Sequence, residues 1–299
     1  MGTPALPESC SRLTRLFRGE LFAVDDWRCT GDDTPRRREE WGPDDCVVVT
    51  RRGAWELETE GNARLADALT ATLWNRGAYR VRHPIGGGDE CTVFRLTEEG
   101  TRALRELPRP GLPRGRAQTF AGGSRPIDGR AYLLHRHALA AARACPGASD
   151  PLGVEEPALG FLHRVTGGAT GERARADSGL RHTSRYVDRA RDLIARDFRE
   201  SLTLARMARE VGCSPFHLSR LFRRATGTTL HRAVVRTRLR EALERLLDEP
   251  GHLSAIALAV GFASHSHFAD AFRAEFGCSP SQARVHLGVR GRRAIPAAR

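Results

Sequence analysis

The stretch LARMAREVGCSPFHLSRLFRRATG, residues 204–227, decides the fold of the C-terminal part of this chain. A first helix is predicted between Thr203, which is placed to cap it, and Gly212, which is placed to end it. Its apolar residues recur at helical spacing: Leu204, Met207, Ala208 and Val211. Ser214 followed by Pro215 is a common start of a second helix. The stretch therefore predicts two helices joined by a tight glycine turn.

The same unit recurs in LSAIALAVGFASHSHFADAFRAEFG, residues 253–277. One extra residue in the second turn is needed to keep the two copies in register. Ser264 then takes the N-cap position that Ser214 has in the first copy. The aligned pairs are Ala208 with Ala257, Val211 with Val260, Gly212 with Gly261, Leu218 with Phe268, Phe222 with Phe272 and Gly227 with Gly277. This register predicts two helix-turn-helix units.

The second helix of each unit has an apolar face and an opposite face that is polar and basic. The apolar residues are Leu218, Leu221 and Phe222, then Phe268, Ala271 and Phe272. The opposite face carries Phe216, Ser219, Arg220 and Arg223, then His265, Ser266, Ala269, Asp270 and Arg273. Such a face can be an ordinary solvated surface, or it can enter the major groove of DNA, where arginine bonds guanine. Two copies in a basic region favour DNA.

A metal site is a different interpretation of the two histidines in ASHSH. His265 and His267 lie two residues apart at the start of a helix, so their side chains point in well-separated directions. A zinc site needs four convergent ligands, and no such set is apparent in the sequence. The sequence therefore predicts no metal site and no cofactor.

The segment TTLHRAVVRTRLREALERLLDE, residues 228–249, lies between the two units and is predicted to be one amphipathic helix. Its apolar side carries Val234, Leu239, Leu243, Leu246 and Leu247. At 1.5 Å per residue it would be roughly 30 Å long, close to one turn of B-DNA. A rod of that length would hold two units at successive major grooves.

The positive charge of the chain is concentrated at its C-terminal end. The net charge is +12, and all 48 basic residues are arginine. Residues 180–299 carry 22 arginines against 11 acidic residues, a balance of +11, whereas residues 1–179 carry +1. A basic region joined to a neutral one is expected to bind a polyanion, most often nucleic acid.

The N-terminal region has the pattern of short antiparallel strands separated by turns. The predicted strands are LFAVDDW, CVVVTRR, AWELETEG, ALTATLWNRG, YRVRHP and ECTVFRL, and the glycines of GGGD, residues 86–89, predict a hairpin loop. A small sandwich or barrel is expected. A connector rich in proline, glycine and arginine follows at residues 108–126.

Two helices are predicted after this connector. The first is AYLLHRHALAAARA, residues 131–144, whose Leu134, Ala138, Ala141 and Ala142 share a face, and the second spans about residues 153–165. The alanine-lined face either pairs with a second copy of the chain, giving a homodimer, or packs on the N-terminal region itself. TGGATGERARADSG, residues 166–179, has the composition of a flexible linker.

The C-terminal part resembles the AraC/XylS-type bacterial transcription regulators. The resemblance rests on SPFHLSRLFRRATG, RTRLREALERLL and IALAVGFASHSHFADAFRAEFGCSP, and it covers about residues 184–287. It implies a two-headed domain that binds double-stranded DNA, contacts RNA polymerase and usually activates transcription. The residues expected to contact bases are Phe216, His217, Ser219, Arg220, His265, Ser266, Ala269 and Asp270. The residues expected to contact phosphates are Ser214, Arg223, Arg224, Arg236, Arg238, Ser264 and Arg273.

The chain departs from the family pattern at two positions. Asp270 stands where an arginine is often found, and its carboxylate would repel phosphates. Ala283 stands where an aromatic residue is usual, so the last helix is expected to pack more loosely.

The N-terminal region resembles the cupin-type sensor of these regulators, through RGELFAVDDWRC, VVVTRRGAWELETEG and YRVRHPIGGGDECTVFRL. The binding site of a small effector would be lined by Trp27, Trp41, Trp74, Tyr79 and His83. Such aromatic residues also commonly form ordinary core. The alternative is a metal-dependent cupin enzyme using His83, Asp89, Glu90 and Cys91, with a tail that binds nucleic acid. The usual HxH pair followed by spaced Glu and His is absent from the sequence.

The cysteines and the apolar runs indicate a cytoplasmic protein with no membrane partner. Seven cysteines form no CxxC pair and are expected to be reduced and mostly structural, with a thiol sensor as the alternative: Cys10, Cys29, Cys46, Cys91, Cys145, Cys213 and Cys278. No run approaches the roughly 18 apolar residues of a spanning helix, and the first residues lack the apolar core of a signal peptide.

Together these patterns predict an α+β chain in which an antiparallel β-barrel or sandwich with linker helices precedes an all-α domain. The expected boundaries are a sensor at 10–107, a connector with helices at 108–179, a DNA-binding domain at 180–288 and a basic tail at 289–299. We expect a DNA-binding regulator rather than an enzyme.

Overall fold

The computed structural model describes residues 11–30, 37–59, 62–82, 88–106, 119–120, 123–144, 151–167, 184–248 and 251–287. Gly86 and Gly87 of the hairpin loop expected at GGGD, most of the connector at 108–126, nearly all of the linker at 166–179 and the basic tail lie outside these residues. Among the helices described, none is long and apolar enough to span a bilayer.

The N-terminal part forms two antiparallel sheets. Its strands are β1 Ser11–Arg18, β2 Phe22–Cys29, β3 Arg37–Gly42, β4 Cys46–Arg52, β5 Ala54–Thr59, β6 Asn62–Asp67, β7 Thr70–Trp74, β8 Gly77–Arg82, β9 Asp89–Leu96 and β10 Ser124–Pro126. One sheet has the order β1-β2-β9-β4-β7-β10, and the other has the order β3-β8-β5-β6. The expected antiparallel, sheet-rich region is confirmed, while a closed cupin barrel stays a prediction.

The larger sheet is covered on both faces, and β4 shows why. Its sequence CVVVTRR is buried along almost its whole length. Val47 and Val49 face a core shared with helices, whereas Cys46 and Val48 face a core shared with the smaller sheet. A strand that is buried on both sides needs a continuous apolar run rather than an alternating one.

The helices follow in the order that the sequence predicts. They are α1 Glu98–Glu106, α2 Gly129–Ala144, α3 Pro151–Gly167, α4 Ser184–Asp197, α5 Leu204–Val211, α6 Pro215–Thr226, α7 Leu230–Asp248, α8 Leu253–Ala259, α9 His265–Phe276 and α10 Pro280–His286. The predicted helices near 131–144 and 153–165 correspond to α2 and α3. The helix predicted at 228–249 is α7.

The strands that the sequence did not predict are the edges of the two sheets. β1 and β10 border the larger sheet, and β3 and β6 border the smaller one. Their sequences, such as RREEWG and NARLAD, are rich in charged residues because an edge strand has one side without a partner strand. The short helix α1 also went unpredicted. The six inner or long strands were predicted because burial gives them a clear apolar pattern.

Helix α2 is an internal element of the chain. Its Ala138 and Ala142 are fully buried, and α2 packs on α3. Gly129, at its start, comes so close to α9 that an added Cβ would lie 2.0 Å from the carbonyl oxygen of Glu275. The alanine-lined face therefore packs within the chain, which is the second of the two arrangements expected from the sequence. Homodimerisation stays a prediction, and this face is not its surface.

A buried ionic contact joins α2 to α7. Arg136 Nη1 lies 3.1 Å from Oε2 of Glu244, and the two side chains are 2% and 1% exposed. The hydroxyl of Tyr132 donates a hydrogen bond of 2.8 Å to Oε1 of the same carboxylate. Arg240, also fully buried, lies 4.7 Å above the Tyr132 ring and donates to the carbonyl oxygen of Ile127 at 2.5 Å. One carboxylate of α7 thus holds two side chains of α2.

We expect Glu244→Ala to lower the free energy of unfolding by about 3–5 kcal/mol, because it leaves the buried Arg136 charge without its partner. The matched control is Glu99→Ala, which breaks the exposed Arg102–Glu99 pair and should cost less than about 1 kcal/mol. Urea denaturation of both variants measures the difference. Equal losses in the two variants would contradict the structural role of the α2–α7 contact.

Candidate nucleic-acid interface

The first helix pair, α5 and α6, has the ends that its sequence predicts. The Thr203 hydroxyl accepts a hydrogen bond from the backbone N–H of Arg206 at 3.2 Å, and α5 ends at Gly212 with φ of 85°. The Ser214 hydroxyl accepts from the N–H of His217 at 3.2 Å, and Pro215 occupies the first turn of α6. The left-handed conformation at Gly212 is what turns the chain between the two helices.

The second pair, α8 and α9, repeats this geometry. The Ser264 hydroxyl accepts from the N–H of His267 at 3.3 Å, and Gly261 has φ of 94°. Gly261 also needs to lack a side chain, since an added Cβ would lie 2.7 Å from the carbonyl oxygen of Arg199. The predicted N-caps at Ser214 and Ser264 are confirmed.

Helix α6 presents one face to its own core and the other to solvent. Leu218 and Phe222 are 0% and 1% exposed, whereas the ring of Phe216 at the start of the helix is 90% exposed. Ser219 and Arg220 are exposed as well, and His217 is half-buried, with its ring 6.0 Å from that of Tyr186. The exposed ring of Phe216 and the arginine one turn later are therefore both open to contact by another molecule.

Helix α9 has a smaller and less basic outer face. His265, Ser266 and Asp270 are exposed, while Ala269 is half-buried. Phe268 and Phe272 are fully buried on the opposite side. The sequence therefore placed the inner and outer faces of both helices correctly, while the base contacts themselves stay predictions.

The arginines that were expected to contact phosphates fall into two groups. Arg223, Arg224 and Arg273 are exposed, and none of the ion pairs within the described part of the chain involves them. Arg236 instead pairs with Glu275, with Nε 3.0 Å from Oε2. Arg238 donates to the carbonyl oxygens of Phe198 at 2.7 Å and Glu200 at 2.8 Å. These last two side chains already have partners inside the protein, so we retain only the exposed group as phosphate contacts.

Helix α7 joins the two helix pairs and is buried on more than one side. Leu239, Leu243 and Leu246 are buried as predicted, but Arg240 and Glu241 are buried as well. The helix contacts both pairs and β4 of the larger sheet. It is a shared internal support, and Glu241 and Glu244 on it form internal ion pairs.

In the last helix, α10, Ala283 stands at the position where the family pattern has an aromatic residue. Looser packing of this helix stays a prediction. Ala283 is 1% exposed and belongs to the core that contains Phe272 and Phe276. Ser279 and Gln282 form a reciprocal cap at the start of the helix. The alanine is thus a buried packing residue.

The histidines and acidic residues considered as metal ligands have other neighbours. The ring of His267 lies 5.4 Å from that of Phe262, and the ring of His265 lies 6.4 Å from that of Phe268. Glu90 pairs with Arg52 at 3.2 Å. Across the described ranges, no group of three or more His, Cys, Asp or Glu side chains is arranged to hold a metal ion. His83 lies outside those ranges.

Three of the five candidate effector residues lie together between the two sheets. Trp27, Trp74 and Tyr79 pack against the same core cluster, and the rings of Trp74 and Tyr79 stack with centroids 4.8 Å apart. Trp55, which the sequence analysis did not select, joins them edge-on at 6.0 Å from Trp74. The side chains of Trp41 and His83 lie outside the described part. The cluster is compatible with both alternatives from the sequence, an effector-binding site and ordinary hydrophobic core.

The structure also contains a cavity that the sequence did not predict. A cavity of about 330 Å³ lies where the sheet region meets α4 and α7. Its wall is formed by Arg51, Arg52, Gly53, Asp67, Ala68, Leu69, Arg191, Ile194, Ala195, Arg196, Phe198, Arg199, Thr237 and Glu241. The cavity joins segments nearly 190 residues apart in sequence, so no local pattern marks it.

None of the five cysteines that the structure describes forms a disulfide. Burial raises the pKa of Cys46 to about 12 and that of Cys91 well above its ordinary value. The pKa values of Cys213 and Cys278 are also raised by burial. A reactive sensor thiol needs the opposite shift, so these four cysteines fit the structural role. Cys10 and Cys145 lie outside the described residues.

Comparison with known proteins places the similarity on these helices. Residues 207–286 match the family model described as a helix-turn-helix domain. The HTH-type transcriptional regulator GlxA of Rhizobium meliloti is 42% identical over 82 residues, which are 27% of this chain and 25% of that protein. The probable transcription factor PqrA of Proteus vulgaris is 33% identical over 85 residues, which are 28% of this chain and 70% of that protein.

The chain is also similar to a solved structure. The AraC-type regulator of Chromobacterium violaceum is 28% identical, with a TM-score of 0.35, over 36% of this chain and 97% of that one. The match spans 25% to 40% of the length of the first curated relatives.

We expect Ser214→Ala to lower the free energy of unfolding by about 1 kcal/mol, because it removes the hydroxyl that caps α6. Ser219→Ala, on the exposed face of the same helix, is the matched control and should change stability by less than about 0.5 kcal/mol. Denaturant midpoints of the two variants check this expectation. If Ser214→Ala lowers stability no more than Ser219→Ala does, the hydroxyl of Ser214 does not stabilise α6 as a cap.

Proposed function

Because the chain belongs to the AraC-type helix-turn-helix family, we propose that it regulates transcription by binding double-stranded DNA through residues 180–288. In this proposal, residues 10–107 form a sensor, residues 108–179 connect it to the DNA-binding domain, and residues 289–299 form a basic tail. Each of the helix pairs α5–α6 and α8–α9 acts as a helix-turn-helix unit.

The observation that carries the proposal is the exposed face of α6. Phe216 is 90% exposed on a helix whose opposite face is fully buried, and the exposed Ser219 and Arg220 lie on the same side. A side chain of this size in water has no role in packing. In the major groove, Phe216 would contact a thymine methyl group and Arg220 would bond O6 and N7 of guanine.

The N-terminus of α6 supports the same placement. Its first backbone N–H groups point out of the helix, and the Ser214 hydroxyl satisfies the one from His217. Helix N-termini attract phosphate, so the start of α6 would lie against the DNA backbone while its outer face reaches the bases. Arg223 and Arg224, exposed at the other end of the helix, would neutralise further phosphates.

Two units held by one support would read two successive segments of the groove. α7 has 19 residues and is therefore about 28 Å long, near the 34–36 Å that separates major grooves on one side of B-DNA. Because α7 packs against both units, it would keep them at about the spacing of successive grooves before DNA is bound.

The sensor part of the proposal concerns the sheet region. We propose that this cupin-like region responds to a small-molecule effector, and that the DNA-bound protein contacts RNA polymerase as an activator. The regulatory names of the relatives support this choice over an enzyme, although those proteins match only in part.

The first test measures how affinity depends on salt. Binding should weaken steeply between 50 mM and 200 mM salt, because neutralised phosphates release counterions. Arg223→Gln should weaken binding to all sequences about equally and reduce the salt slope by about 1. Arg102→Gln, which removes an exposed arginine from α1, is the control and should leave the slope unchanged. Binding that is independent of salt would count against the whole proposal.

The second test compares the two units. Arg220 can make a bidentate contact to guanine worth roughly 1–3 kcal/mol of discrimination, whereas Asp270 can accept only from cytosine and is repelled by phosphate. Arg220→Ala should therefore relax base preference in one half of the site, and Asp270→Arg should raise general affinity with little change in preference. Selection from a randomised site library measures both effects.

Two outcomes would contradict this assignment of roles to α6 and α9. If Arg220→Ala leaves base preference intact, or if Asp270→Arg weakens binding, α6 and α9 do not divide base recognition in this way. Thermal unfolding of both variants excludes loss of the fold as the cause, since both residues are exposed.

A further inference from the structure

We propose that the cavity between the sheet region and helices α4 and α7 binds a small organic anion with a compact apolar body, and that this anion sets the position of the first helix-turn-helix unit. The binding site stands on its own geometry, while its regulatory consequence rests on the proposed function. The volume of about 330 Å³ lies at the lower end of the range for ligand pockets.

The charge of the cavity wall favours an anion. Five arginines line it against two acidic residues, Asp67 and Glu241. Arg191 is occupied by Asp67, with Nε 2.8 Å from Oδ2. Burial acts to raise the pKa of Asp67, but the charge and hydrogen bonds of Arg191 hold it below the ordinary value. This pair is therefore a fixed, balanced part of the wall.

Glu241, by contrast, is shared among three arginines. Its carboxylate lies 3.3 Å from Arg52, 3.0 Å from Arg199 and 2.9 Å from Arg245. Arg199 has no other acidic partner in the part of the chain that the structure describes, and 47% of its side chain is exposed. Arg52 is also balanced by Glu90 at 3.2 Å and Asp248 at 2.9 Å, whereas Arg199 and Arg245 share the one carboxylate of Glu241. A second anion beside Arg199 would therefore gain charge-assisted hydrogen bonds.

A buried donor in the same wall has no acceptor. Arg51 is 2% exposed, and its Nε makes no hydrogen bond although it is buried. A buried donor left unpaired costs about 1–3 kcal/mol. Nη2 of Arg51 donates to Asp26 and to the carbonyl oxygen of Cys91, so Nε is a donor of this guanidinium group that has no acceptor in the described part of the chain.

The rest of the wall is apolar and suits a compact carbon skeleton. Leu69, Ile194, Ala195 and Phe198 contribute this surface. Arg199 also lies 4.5 Å above the Phe198 ring, which holds its guanidinium beside the apolar surface. A carboxylate or a phosphate ester on an aromatic or branched aliphatic body fits this combination.

The position of the cavity gives the ligand a mechanical consequence. The second unit shares one continuous apolar core with the sheet region, which includes Phe94, Tyr132, Phe268 and Phe272. The first unit has a core of its own, in which Ile194 of α4 packs, and Leu69 is the sensor residue that contacts it. The first unit therefore meets the sheet region through Leu69 and the Arg191–Asp67 ion pair beside a hollow, and an anion filling that hollow would tighten this junction.

The test uses the full chain without DNA and three probes of similar size: benzoate, phenyl phosphate and neutral benzyl alcohol. Calorimetric titration should give saturable binding of at least one anion with a Kd of about 1 mM or tighter, and binding of benzyl alcohol at least tenfold weaker. The two anions distinguish a carboxylate ligand from a phosphate ester.

Variants connect the binding to the site. Arg199→Gln should weaken anion binding at least tenfold, and Arg196→Gln, also exposed in the wall, is the second cavity variant. Arg185→Gln removes an exposed arginine from the far end of α4 and should leave binding unchanged. The site is overturned if neither anion binds up to about 10 mM, if benzyl alcohol binds equally well, or if Arg185→Gln and Arg199→Gln behave alike.

The regulatory half is tested separately with DNA. The bound anion should change the DNA affinity at least fivefold, and DNA should change the anion affinity by the same factor. Anion binding without this linkage overturns the regulatory role but not the site. Salt-dependent DNA binding with no anion binding overturns the site and leaves the proposed function intact.

Discussion

The carboxylate of Glu244 is the point on which the arrangement of the chain depends. It lies on α7, the helix between the two helix pairs, and it holds Arg136 and Tyr132 of α2 in a region closed to water. A charge buried to this degree tolerates only a narrow geometry, since any displacement leaves a partner unpaired. The contact therefore fixes α2, and the sheets that α2 covers, at one position along α7.

This constraint makes the two units unequal. The second helix pair shares its core with the sheet region, and α9 packs against the start of α2 at a distance that only Gly129 permits. The first unit lies beyond a cavity lined by charged side chains, and it has a separate core. In the proposed regulator, a ligand in this cavity would act on the first helix pair and, through it, on DNA affinity.

Much of the candidate interface could be predicted because it depends on local rules. A helix cap, a left-handed glycine and an apolar repeat each act within about four residues, so Ser214, Gly212 and the buried side of α6 follow from the sequence alone. The partners of the arginine side chains on α7 could not be predicted in this way. Arg236 and Arg238 look like phosphate ligands until the fold brings Glu275 and the carbonyl oxygen of Phe198 to them.

The sequence by itself determined the two helix pairs, the helix between them, the inner strands of the sheets and the basic character of the C-terminal part. It also carried the resemblance to the AraC-type regulators. Only the tertiary structure decided that α2 is internal, that the edge strands complete the sheets, and that Arg52, Arg199 and Glu241 meet around a cavity. The physical reason is range. Helix and strand periodicity is written in neighbouring residues, whereas a buried ion pair or a cavity wall is made by residues that become neighbours only when the chain has folded.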